Sequence, residues 1–159
     1  MDWVLFLRWV HVIGATVLLG TGAGIAFFMF MADRTRDPAV IAHVARSVVI
    51  GDFIFTTTAV IAQRVSGIAL AWLIGWPLSE GWIILSLALY VLTGLFWLPV
   101  VWIQVRLRGL AKAAVQAGEP LPPLYHQLFQ VWLACGFPAF SAVLAIVWLM
   151  LAKPSFRIF

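Results

Sequence analysis

Between Trp3 and Met31 the chain offers no ionisable group except Arg8 and His11. A helix needs about 20 apolar residues to cross a hydrocarbon core about 30 Å thick, and this stretch exceeds that. Within hydrocarbon the backbone amides must be bonded inside the protein, so a single apolar run of this length is a helix. Three more apolar runs follow it. The 159 residues are 64% hydrophobic and 10% charged, with a mean hydropathy of +1.06. Soluble domains carry about 25% charged residues, so the composition predicts an integral membrane protein.

The punctuation between the runs predicts one all-α domain over residues 1–159, a four-helix bundle with antiparallel neighbours. Its helices cover about 3–31, 52–76, 82–105 and 124–152. Asp37 before Pro38 is an N-cap with proline at the first helical position. It opens an amphipathic lead-in over 39–50, expected to lie at the membrane interface. The two long connections carry Arg34, Arg36, Arg46, Arg106, Arg108 and Lys112, whereas Arg8, Lys153 and Arg157 belong to the opposite side. Cationic loops stay inside, so both termini are expected on the outer side. Trp3, Trp76, Trp82 and Trp148 fall near the outer boundary, and Trp102 and Trp132 near the inner one, as an aromatic belt requires. The first segment is too long for a signal sequence and lacks its basic n-region, so it is expected to stay as a span. The expected address is a bacterial cytoplasmic (inner) membrane, multi-pass, with the lipid bilayer as first partner.

In such a chain the polar residues at membrane depth are the informative ones, because they face protein, water or a ligand. His11 lies roughly 12 Å below the helix start at Trp3, on the same face as Arg8. Gln63 and Arg64 reach a similar depth on the second span, and Lys153 closes the last span on the same side. Arg8, His11, Arg64 and Lys153 outnumber the nearby acids Asp2 and Glu80. That excess suits an anionic guest such as the carboxylates of a porphyrin. Simpler uses stand beside it: Arg8 and Lys153 can snorkel to headgroups, Arg64 can pair with Glu80, and His11 can bond a neighbouring helix. His43 and His126 belong to the other surface, nearly 20 Å away in depth, so they cannot share a metal with His11.

Other features divide between packing and chemistry. Asp52 with Thr56, Thr57 and Thr58 is a polar group near the inner end of the second span. Capping, or a pair with Arg46 or Arg106, is its simplest use, and a proton or ion site the alternative. Gly20 and Gly24 form a GxxxG spacing, read first as ordinary contact within the bundle and otherwise as a dimer face or clearance for a flat ligand. Pro99 and Pro138 predict kinks. Cys135 alone can form neither an intramolecular disulfide nor a multi-thiolate site. The pI near 10 does not signal nucleic acid, since the basic residues form no dense patch. Phosphate loops, dinucleotide fingerprints and the zinc-protease helix motif are missing.

Three runs carry a family resemblance: Arg8-Trp9-Val10-His11-Val12-Ile13-Gly14, the basic end of the third span, and Trp148-Leu149-Met150-Leu151-Ala152-Lys153-Pro154. They resemble the HemJ-type membrane proteins, the haem-binding bacterial protoporphyrinogen oxidases. Closer still, Gly51-Asp52-Phe53-Ile54-Phe55-Thr56-Thr57 and Ala62-Gln63-Arg64-Val65-Ser66-Gly67 look like a group of predicted integral membrane proteins. That group is similar to HemJ and to the copper-resistance D type membrane domains. The resemblance implies haem b with His11 as the iron ligand, and Lys153 matching a functionally important lysine, as a sixth ligand or proton carrier. Arg8 and Arg64, with Gln63 beside them, are the expected cofactor-side residues. Two departures stand out: Leu19-Gly20 replaces the family's Trp-x-Gly, and Gly136-Phe137 replaces its Asn-Glu. The expected role is redox: porphyrinogen oxidation, or electron transfer to a quinone or membrane oxidase partner, in a homo- or hetero-oligomer. The alternative is a non-catalytic small subunit or assembly factor of a larger membrane complex. Copper transport is weaker, because Met29, Met31 and Met150 are not grouped as a soft-metal relay.

Overall fold

Asp2 starts the first helix by accepting hydrogen bonds from the backbone N–H groups of Val4 and Leu5, at 3.1 and 3.2 Å. In the computed structural model, which describes residues 2–154, α1 then runs from Trp3 to Thr35. It stops where Arg36 turns left-handed, at φ 55°. Asp37 caps the next helix through the Ala39 N–H at 2.8 Å, with proline at its first position as predicted. This helix, α2 (Pro38–Gly51), has no break at its end. It passes through a π-helical turn at Asp52–Thr56 straight into α3 (Thr57–Ile74). Gly75, at φ +80°, closes α3 in a conformation that glycine adopts without steric cost. Then come α4 (Gly81–Ala117) and α5 (Pro123–Ala152), separated by Gly118 at φ +67°.

Four stretches are long and apolar enough to cross a membrane among the described residues: Trp3–Thr35, Pro38–Ile74, Gly81–Ala117 and Pro123–Ala152. No strand occurs among those residues. α1 packs on α3 and α2, while α4 packs on α5 and α2. The core gathers at the end of the bundle carrying the α1–α2 and α4–α5 connections. There Met29, Ile41, Ala45, Leu107, Ala111 and Tyr125 are almost fully buried. Partway along the bundle α3 and α4, consecutive in the chain, meet through side chains: the Tyr90 hydroxyl donates to the Val60 carbonyl at 2.9 Å. Lipid tails are as apolar as the helices, so van der Waals fit and polar bridges of this kind hold the spans together.

Several sequence expectations change. The lead-in does not lie flat at an interface: Ile41, Ala45, Val48 and Val49 are buried, because α2 packs between α1 and α4. Beyond residue 105 the basic turns of α4 do not simply extend the helix into water: Leu107, Ala111 and Ala114 are buried there. Gly20 and Gly24 have no atom within 4 Å of an added Cβ, so ordinary bundle packing does not explain them. Gly22 and Gly14 do face neighbours. Pro99 lies inside α4 and Pro138 inside α5, where each removes one backbone hydrogen bond. Arg157, counted among the outer charges, lies outside the described residues.

Candidate functional site

His11 and Gly14 lie one turn apart on α1, and Gln63, Ser66 and Gly67 lie one turn apart on α3, so both sets meet along one seam. Small residues allow the close approach. A Cβ added to Gly67 would stand 3.2 Å from His11 Cε1, and one added to Gly14 would stand 2.8 Å from Gln63 Nε2. Gln63 donates its side-chain amide to the His11 backbone carbonyl. The His11 ring is held separately, its Nδ1 2.9 Å from the Ser66 hydroxyl oxygen.

This arrangement selects a tautomer. Ser66 is buried, and its single hydroxyl proton goes to the Ala62 carbonyl one turn back. The oxygen can then only accept from His11, so the proton of the neutral imidazole sits on Nδ1. Nε2 is left with a free lone pair, the state a metal-binding histidine requires. Thr16, five residues after His11 on α1, donates to its own helix at the Val12 carbonyl, 3.0 Å away. Ser66, three residues after Gln63, could have been found from that spacing and from the depth it shares with His11.

The other expected site residues are dispersed around this seam. Arg8 is exposed one turn above His11. Arg64 is also exposed and holds its guanidinium 5.5 Å from the centre of the Tyr90 ring, which gives it an aromatic partner in place of Glu80. Lys153 caps α5 with its ammonium 5.4 Å from the Trp76 ring and 5.9 Å from the Trp82 ring. Those tryptophans flank the α3–α4 turn, whereas Ser66 lies about 12 Å down α3 from its end at Ile74. The separation does not suit Lys153 as a ligand to an iron atom on His11. Gln63 is likewise committed to the protein backbone.

A second polar group lies deeper. Asp52, 3% exposed, begins the π turn. Its carboxylate accepts from Trp97 Nε1 at 3.4 Å. With its amide oriented to satisfy both neighbours, Gln104 donates to Asp52 at 2.8 Å and accepts from Trp132 Nε1 at 3.2 Å. The acid is thus bonded to α4, and through Gln104 to α5, rather than to Arg46 or Arg106. Arg106 lies over the Trp102 ring, 5.7 Å from its centre. Thr56 Oγ1 is buried beside this carboxylate.

Among the described residues no three His, Cys, Asp or Glu side chains gather to hold a bare metal ion. A single imidazole suits an ion whose other ligands come with it, as in a metalloporphyrin. His43 and His126 are both exposed, the latter edge-on to Tyr125.

No curated protein and no solved structure matches the chain. Residues 5–154 match a family described as predicted integral membrane protein (DUF2269). Of the expected relationships this supports the closer one, and no match to the HemJ or copper-resistance D families accompanies it. With four apolar spans and a match over nearly its whole length, the chain belongs to that family of predicted integral membrane proteins.

Proposed function

We propose that this multi-pass membrane protein binds haem b through Nε2 of His11 and serves a redox role. The observation carrying the proposal is the Ser66 hydroxyl, which holds the proton on Nδ1 and leaves the other nitrogen free. The donor set fits the group: one neutral imidazole with a fixed tautomer, the cation Arg8 one turn above it, and Arg64 next to Gln63. His11 would hold the iron, and Arg8 and Arg64 would pair with the propionates. A bound haem b supplies one-electron chemistry, which suits exchange with a quinone or a membrane oxidase, and on the HemJ resemblance with porphyrinogen. The protein's own part is to orient the imidazole, to keep it neutral in an apolar setting and to offset carboxylate charge. Lys153, exposed beside the Trp76 and Trp82 rings, has no place in the iron's coordination in this proposal. The basic connections favour a cytoplasmic membrane with both termini outside.

The deciding experiment is a reduced-minus-oxidised optical spectrum of protein purified in mild detergent after expression with haem precursor. The expected result is an α band and a shifted Soret band, both lost in His11→Ala and kept in His126→Ala. A wild-type protein without either band refutes haem binding and leaves the small-subunit reading. Native mass spectrometry of the same sample would then look for a stable hetero-complex.

A further inference from the structure

We propose that the connection end of the bundle binds one anionic phospholipid, its phosphate between α2 and α4 and an acyl chain along α1 and α2. A cleft of about 460 Å³ opens there, lined by Ala42, His43, Arg46, Arg108 and Lys112. His43 and Arg46 are one turn apart on α2, and Arg108 and Lys112 one turn apart on α4, so each pair shares a helix face. Buried Ile41, Ala45, Leu107 and Ala111 belong to the same core and fix the two helices side by side. The lining thus brings together three permanent cations and an imidazole, with no carboxylate. Three cations on two helices match a phosphate oxyanion, which takes several charge-assisted hydrogen bonds at once.

A second hollow identifies the anion as part of an amphiphile. It measures about 310 Å³ and shares His43 with the cleft. Its other walls are Ile25, Phe28, Val44, Ser47 and Val48, all apolar except Ser47. A free inorganic anion gains nothing from such a groove. A phospholipid lays its chain there while its headgroup reaches the arginines. Depth agrees, since α2 enters the membrane-spanning stretch Pro38–Ile74 and the basic turns of α4 follow its apolar part. Basic pockets between spans bind anionic headgroups in this way.

The test uses the full chain in mild detergent, with native mass spectrometry reading retained lipid. Phosphatidylglycerol and phosphatidylcholine of identical acyl chains are offered together. Wild-type protein is expected to keep one phosphatidylglycerol in preference to phosphatidylcholine. In R108Q/K112Q that retention falls roughly tenfold or more. The charge-conserving R108K/K112R keeps it, which separates lost charge from lost folding. A control, R34Q/R36Q, removes the same charge beside the α1–α2 connection and leaves retention within about twofold. Equal loss in both neutralised pairs, loss in the charge-conserving pair, or no headgroup preference overturns the proposal. Displacement of the lipid by millimolar inorganic phosphate overturns it in favour of a free-anion site.

Discussion

His11 and Ser66 form a donor–acceptor pair across two spans, with Nδ1 2.9 Å from a hydroxyl whose own proton is already given to the Ala62 carbonyl. The direction of the bond follows from the count of protons, since serine has only one to give. Ser66→Ala therefore tests the tautomer without touching the ring. Loss of an orienting partner of a ligating histidine costs about 10- to 100-fold in affinity. Haem titration of the purified variant should show a loss of that order, with the helical content by circular dichroism unchanged. Wild-type affinity in Ser66→Ala would make the bond one of packing only.

Gly14 and Gly20 lie on the same helix but answer differently to a methyl group. Gly14→Ala pushes a Cβ against the Gln63 amide and disturbs its bond to the His11 carbonyl. A net loss of about 1 kcal/mol is expected for that bond. Gly20→Ala meets open space, so the gain in helix propensity, up to about 1 kcal/mol, is uncompensated by any clash. Gly14→Ala gains the same propensity, which the weakened bond offsets, so the unfolding midpoint in detergent should rise for Gly20→Ala and stay near wild type for Gly14→Ala.

Asp52 accepts from two donors, one on each carboxylate oxygen. Asp52→Asn keeps one acceptor, for Trp97, and sets its own NH2 against the Gln104 donor, at a cost of about 1–3 kcal/mol. Asp52→Ala leaves the Trp97 and Gln104 donors buried without a partner, at about 1–3 kcal/mol each. Unfolding midpoints in detergent should rank wild type above the asparagine variant, and that above the alanine. Equal midpoints for the two variants would show that Trp97 and Gln104 find water instead.

Lys153 is the subject of a coupling test. Each Lys–Trp contact at an exposed site is worth about 0.5–1 kcal/mol. A double-mutant cycle of Lys153→Met with Trp76→Leu should return a coupling of that size, because the ammonium lies 5.4 Å from the Trp76 ring. Zero coupling would assign Lys153 to the headgroups.

The spans were legible because hydropathy and length alone decide them: the run from Trp3 to Met31 could be little else. Both caps at Asp2 and Asp37 use one local side-chain oxygen, and Asp37 was readable from Pro38 beside it. What escaped was lateral. Periodicity places His11 and Gln63 at similar depth but does not reveal that Gln63 turns to a backbone carbonyl, or that Ser66 takes the ring. For Arg64 a pair with Glu80 was one of two readings, and its guanidinium lies instead over the ring of Tyr90, which helical spacing cannot link to it. Asp52 looked like a cap or an ion-pair partner. Its actual bonds reach Trp97 and Gln104, residues too distant in sequence for spacing to connect.

The π turn at Asp52–Thr56 also sets the phase of everything after it. A π turn inserts one residue into α-helical winding, so removing one residue there would let α2 and α3 join as an uninterrupted α-helix. Each residue of an α-helix turns the chain by about 100°. Winding the same residues as unbroken α-helix would thus rotate α3 by roughly that angle relative to α2, carrying Gln63, Ser66 and Gly67 away from α1 while α2 kept its place against α4; removing one residue restores the α-helix without that rotation. The extra residue works as a gear between two halves of one long helix. One half is keyed to the core at the connections, and the other to the histidine seam.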